Sequence, residues 1–224
     1  MRDQTKINPT KKGNLKMNDL SWTMSPETIV RRVDSQPVQE TLPDPSFEKV
    51  KQGDQMRFDA HVNVEAMPQG KHLKKVTIFS NVPNGGTWEV ISDEGTAVGG
   101  RGTAPSPLMY FAAGLGLCLM SHVEMLAKGR GFTIDSARLE QRSTWKTTLD
   151  LGAVKPEDVS GIAEGMEMNL IIESPESPQK IAEFVQYCRR ACMALQAVAS
   201  ATPVVTSLYL NGEEIGEVGG QDPA

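Results

Sequence analysis

The 224-residue sequence predicts an α+β domain with a mostly antiparallel sheet. Three observations carry this. Strand-like alternation comes in runs, in the order βββ-α-ββ-α-β and without internal repeats, rather than in strict β-α-β alternation. The thirteen residues from Leu108 to Met120 hold no charge and no strongly polar side chain, too short a run to span a membrane and suited to a helix buried on all sides. A second helical stretch carries Ile181, Phe184, Val185, Cys188, Cys192 and Leu195 on one inward stripe.

Residues 1–53 are polar and rich in Lys, Pro, Asp and Gln, and read as an extended arm. Ser25-Pro26-Glu27 caps one short helix through Val33, and Lys6, Lys11, Lys12 and Lys16 form a solvated face. The domain proper spans 54–218. Phe58, Ala60, Val62 and Val64 alternate with Asp59, His61, Asn63 and Glu65 as a half-buried strand, turned by Pro68-Gln69-Gly70. Strands follow over 73–79 and 87–92, separated by Asn84-Gly85-Gly86. A Gly-rich loop, 99–103, enters the long helix, which Ser106 caps, Pro107 opens and Gly129 and Gly131 close. Gly114 and Gly116 inside it each cost about 1 kcal/mol against Ala, so another backbone is expected close by.

Beyond that helix, 134–147 alternates with Ala137, Leu139 and Trp145 on one side, and 165–173 is the next strand. Ser177-Pro178 opens the second helix, 204–210 is a strand, Asn211-Gly212 is a tight turn, and 219–224 is a polar tail.

Hydrophobic residues at 39% and charged residues at 23% suit a soluble globular protein. A net charge of -5 argues against non-specific nucleic-acid binding, since no surplus of cations exists to neutralise phosphates. No apolar run follows Met1, so no signal peptide is expected, and no membrane association. Three cysteines, an odd number, make a poor disulfide framework and point to a reducing, cytoplasmic setting.

Cys118, Cys188 and Cys192 lie on faces expected to be buried, where a free cysteine packs as a small hydrophobe, ligates a metal or does redox chemistry. Cys188 and Cys192 are one turn apart and His122 could join them, but a single short-spaced pair falls short of a four-ligand zinc site, and no metal is expected. The glycines at 99, 100 and 102 lack the Gly-Lys-Ser/Thr of a phosphate loop and the third glycine of a dinucleotide fingerprint. They therefore read as a tight entry that sets Arg101 beside the helix start. His122, four residues after Cys118, shares its helix face and is either packed or a partner for the thiolate.

Ala104-Pro105-Ser106-Pro107, followed by an apolar run to Gly114-Leu115-Gly116-Leu117-Cys118, resembles the OsmC/Ohr family of thiol peroxidases. The second helix, with Glu183 and Ala191-Cys192-Met193-Ala194-Leu195, is similar as well, as is Ser92-Asp93-Glu94 followed by Gly99-Gly100. The resemblance covers residues 56–216. It implies an OsmC-like fold: a mostly antiparallel sheet wrapped on two central helices, in an intertwined homodimer with active sites at the interface. By motif position it makes Cys118 the peroxidatic residue, Cys192 the resolving one and Cys188 an additional thiol. It implies a hydroperoxide substrate and an external dithiol reductant, with no metal or organic cofactor. Met109 and Leu108 stand where the family carries Glu. Cys118 lies about three turns into its helix, beyond the reach of the dipole, so its thiolate needs a cation, for which Arg101, His122 or a partner residue are the candidates. The contrasting expectation is a non-catalytic protein of the same fold that binds a small apolar ligand at the dimer interface.

Overall fold

A computed structural model describes residues 29–34, 41–42, 51–52, 55–56, 59–67, 72–80, 85–148, 153–200 and 202–217. The Lys6–Lys16 cluster, the Pro68–Gly70 turn and the 219–224 tail lie outside them. The chain divides into two compact units, Met1–Ser92 and Asp93–Ala224.

Among the described residues, the first unit holds strands alone. It holds β1 (Val30–Val33), β2 (Lys51–Gln52), β3 (Gln55–Met56), β4 (Ala60–Ala66), β5 (Lys74–Ser80) and β6 (Thr87–Ser92). Strands β1-β6-β5-β4 form one antiparallel sheet, and β2-β3 a two-residue ladder. The short helix expected through Val33 is corrected: Val30–Val33 is an edge strand, with Val30 opposite Val90 and Arg31 ion-paired to Glu89. β-Branched valines at 30 and 33 suit a pleated edge, and the free edge of β6 supplies ladder hydrogen bonds that an isolated turn of helix lacks. The period-two reading of β4 holds, with the faces exchanged. Val62 and Val64 are 54% and 59% exposed, whereas His61 is half-buried with its ring 5.0 Å from that of Phe79. Phe79, Thr77 and Thr87 are buried on the face of His61, and Val90 and Ser92 on the other.

The second unit holds α1 (Pro107–Arg130), β7 (Ser136–Thr147), β8 (Gly161–Glu173), α2 (Pro178–Ala191), α3 (Met193–Ala199), β9 (Ser207–Leu210) and β10 (Glu213–Glu217). Among the described residues every strand pairing is antiparallel. β7 and β8 pair from Ser136–Glu173 to Thr147–Gly161, with one irregularity at Thr144/Trp145. Asn211 (φ 54°) and Gly212 (φ 86°) both take left-handed backbone, as a two-residue type I′ hairpin between β9 and β10 requires. The sequence Glu-Glu-Ile-Gly-Glu of β10 has too few apolar residues to alternate, and the strand is legible only from its hairpin.

Helix α1 ends at Gly131, in left-handed backbone, and runs through Gly129. Ser106 stands at its N-cap without a side-chain cap; its carbonyl accepts from Met109 and Tyr110 N–H at 3.0 and 3.2 Å instead. Within one chain, the expected burial on all sides is met on one side only. Only Leu115, Leu119 and Val123, one row at four-residue spacing, are buried, while Phe111, Leu117 (68% exposed) and Met125 face outward. Helices α2 and α3 and strand β7 are the elements packed on it. By length and composition alone this helix could cross a membrane. Its glycines differ too: Gly116 is pressed by the side chains of Leu139 and Gln141, whereas Gly114 opens to space.

The second helix is two. Its stripe is as read from the spacing, with Phe184, Cys188 and Cys192 fully buried, but the chain leaves helical geometry at Cys192 (φ -71°, ψ 102°). The core of this unit is Leu119, Val123, Phe184, Cys188 and Cys192, closed by Phe132, whose ring centroid is 4.8 Å from that of Phe184. Truncating Phe184 to Ala would cost about 3–5 kcal/mol by cavity formation.

The entry to α1 is a hydrogen-bonded loop centred on buried Asp93. Its carboxylate accepts from the N–H of Glu94 (2.8 Å), Arg101 (3.2 Å) and Thr103 (3.1 Å), and from the Thr103 hydroxyl (2.7 Å). The loop comes so tightly back on itself that a Cβ on Gly100 would sit 1.9 Å from the carbonyl oxygen of Glu94. Gly100→Ala is therefore expected to open the loop and lower the melting temperature of the full chain. Gly129→Ala, in open helical space, should raise stability by up to about 1 kcal/mol in the same thermal melts.

Candidate functional site

The site is built from the row of α1 beside the buried one. Cys118 and His122 stand one turn apart there, both half-buried. The α2–α3 junction brings buried Cys192 to them. The ligand atoms of Cys118, His122 and Cys192 all lie within 4.8 Å of one another. These three of the four sequence-derived site residues are thus in one cluster.

The imidazole of His122 is oriented by its own helix. Nδ1 lies 2.8 Å from the Cys118 carbonyl oxygen, which can only accept, so Nδ1 carries the proton and donates it. Nδ1 itself lies 3.9 Å from Cys118 Sγ, so its N–H can also face a thiolate.

Cys192 is both the last cap of α2 and the first of α3. Its Sγ accepts the N–H of Leu195 at 3.4 Å. Burial pushes its thiol above the usual range, the Leu195 N–H opposes this, and a charge on nearby Cys118 pushes it further up. Cys188 is one turn earlier. Burial raises its thiol to about 11, and its Sγ faces the His122 carbonyl at 3.8 Å.

Arg101 is not at the cluster's end of the helix. Its backbone N–H is on Asp93, its side chain is exposed, and its loop joins α1 at Pro107. Cys118 lies eleven residues beyond Pro107, about 16 Å along the axis. The sequence signalled the loop by its glycines. Asp93, which holds it, gave no signal beyond its place in the Ser92-Asp93-Glu94 resemblance.

A cavity of about 590 Å³ lies between the start of α1 and β7, lined by Leu108, Met109, Ala112, Ala113, Gly116, Leu139 and Trp145, with polar Ser106, Gln141 and Ser143. Gln141 donates to the carbonyl of Ala112 at 3.2 Å. At 100° per residue, Cys118 points roughly 150° away from the helix residues that line it. Cavity and thiols therefore occupy different sides of α1.

Residues 100–207 match the family model described as OsmC-like protein, and the resemblance read from the sequence stands over that segment. Similar solved structures include an OsmC-like hydroperoxide resistance protein from Jannaschia sp. CCS1, at 21% identity over 71% of this chain and 96% of that one, with a TM-score of 0.45. An organic hydroperoxide resistance protein OsmC from Legionella pneumophila is 16% identical over 62% and 88%, TM-score 0.47. One from Elizabethkingia anophelis is 15% identical over 64% and 89%, TM-score 0.44. No curated protein matches the chain in sequence.

Two outcomes follow from the electrostatics of this unit. Hydrogen bonds from Thr103 above all hold the Asp93 carboxyl below the usual carboxylate range. A depressed carboxyl stabilises the fold above its unfolded value and loses that contribution as pH falls through its folded one. Asp93→Asn should thus lower the melting temperature at neutral pH, with the gap to wild type closing below about pH 4. Iodoacetamide at about pH 8 should label Cys118 in the folded protein and spare Cys188, of which only about one molecule in a thousand is thiolate there. Peptide mass spectrometry before and after unfolding checks this.

Proposed function

We propose that the chain, OsmC-like over residues 100–207, is a thiol-dependent peroxidase that reduces organic hydroperoxides and works as a homodimer. The observation that carries this reading is the convergence of Cys118, His122 and Cys192 within 4.8 Å from two separate helices. The Cys118 thiolate attacks the outer peroxide oxygen and the O–O bond breaks. Cys118 becomes a sulfenic acid, and the alkoxide leaves and takes a proton to become the alcohol. Cys192 then attacks Cys118 Sγ, a disulfide forms and water departs. An external dithiol supplies the two electrons that restore both thiols.

The electrostatics suit that order. A charged Cys118 keeps Cys192 protonated; conversion to the neutral sulfenic acid removes that charge and eases deprotonation of Cys192 when it must attack. His122, with its Nδ1–H toward Cys118, is the residue proposed to favour the thiolate, in place of Arg101. The exposed apolar side of α1, with Phe111, Leu117 and Met125, is the face proposed to be covered in the dimer, as the family implies.

The cavity favours a second reading, a non-catalytic protein that holds a small apolar ligand beside Leu108, Met109 and Trp145. Stopped-flow mixing of the reduced protein with cumene hydroperoxide separates the two. The peroxidase reading expects consumption far faster than a small-molecule thiol gives, abolished in Cys118→Ser. It expects one round without dithiol-driven turnover in Cys192→Ser, and near-normal turnover in Cys188→Ser and Arg101→Ala. His122→Ala should slow the first step by about tenfold for each 1.4 kcal/mol of interaction lost. Wild type no faster than a free thiol would leave the binding protein.

A further inference from the structure

We propose that Cys118, His122 and Cys192 are also a binding site for a thiophilic divalent cation, Zn²⁺, held by the reduced protein. This departs from the metal-free protein expected from the sequence. It rests on the geometry of the cluster and not on the peroxidase reading.

The donor set is two sulfurs and an imidazole, the chemistry that selects zinc over hard cations. Cys118 and His122 are at i and i+4 on one helix, and the third donor comes from the α2–α3 junction, so two elements fix the site. Tetrahedral zinc with bonds of about 2.3 Å to sulfur and 2.0–2.1 Å to nitrogen sets its donors about 3.5–3.8 Å apart. The two sulfurs lie within 4.8 Å of each other, so closing them on the ion needs a shift of only about 1 Å, and the His122 ring beside them supplies the nitrogen.

The surroundings add two arguments. The Nδ1–H of His122 is on the Cys118 carbonyl at 2.8 Å, which leaves the ring's lone pair on Nε2. A metal-bound histidine is oriented by the same kind of bond. Charge also favours the ion. Two thiolates in a half-buried cluster repel each other and are poorly solvated, but with Zn²⁺ they sum to zero. Binding releases two thiol protons to solvent and involves no change of oxidation state. Cys118 and His122 are half-buried, so the fourth position is open to water. Cys188 takes no part, because its Sγ faces the His122 carbonyl. Zinc at this site holds both sulfurs that a peroxidase cycle needs, and a Cys118–Cys192 disulfide abolishes the site, so metal and oxidant exclude one another.

The test titrates Co²⁺, then Zn²⁺, into the full-length reduced protein without oxygen. The expected result is a thiolate-to-cobalt charge-transfer band that saturates at one ion per chain and is bleached by Zn²⁺. The band should persist in Cys188→Ser and vanish in Cys118→Ser and Cys192→Ser, and binding should weaken about tenfold or more in His122→Ala. Wild type oxidised with diamide, which leaves every residue in place, should show no band, so the result does not hang on the folding of any variant. Absence of the band in reduced wild type, its survival in Cys118→Ser or in the oxidised protein, or its loss in Cys188→Ser would overturn the proposal. A protein that binds cobalt as described but leaves hydroperoxide untouched would remove the peroxidase reading alone.

Discussion

The packing of the Leu119–Val123 row of α1 on Phe184, Cys188 and Cys192 sets the position of every thiol in the second unit. Cys118 and His122 form the adjacent row of the same helix. Once the buried row is seated, the rotation of α1 is fixed and those two side chains must face the α2–α3 junction. The core and the site are therefore one construction. A change that loosened Phe184 would be felt at the thiols as well, because densely packed interiors transmit strain.

The break at Cys192 matters in the same way. Had α2 continued as one helix, Cys192 would lie one turn beyond Cys188 on the same stripe, as its spacing suggests. Instead the backbone extends at this residue and the sulfur turns to cap α3 through the Leu195 N–H. Its sulfur sits with Cys118 and His122, whereas that of Cys188, equally buried, faces the His122 carbonyl with its thiol pushed up to about 11. Two cysteines four residues apart thus have different neighbours, one at the end of a helix and the other inside it.

Much of this was legible in the sequence. The Pro107 start and Gly131 stop of α1, the alternation of β7, the Phe184–Cys188–Cys192 stripe and the Asn211-Gly212 hairpin all follow local rules of capping and periodicity. The failures share a cause: they depend on partners distant in sequence. Val30–Val33 is a strand because β6 offers it an edge. Leu117 is exposed although it is apolar, because period and composition say nothing of how many neighbours are available to cover a helix. Asp93 is one polar residue among many until the loop wraps its carboxylate. The spacing of Cys188 and Cys192 is visible locally, whereas the meeting of Cys118 with Cys192, 74 residues apart, was expected only from the family resemblance, and the fold brings them together.

The central claim is that Cys118 and Cys192 are the reacting pair, and disulfide mapping reads it directly. The reduced protein would be treated with one equivalent of an organic hydroperoxide, trapped with an alkylating agent and digested for peptide mass spectrometry. The account predicts a Cys118–Cys192 linkage within one chain, with Cys188 recovered as the alkylated thiol after unfolding. A Cys118–Cys188 linkage, a disulfide between chains, or three cysteines recovered as free thiols would contradict it.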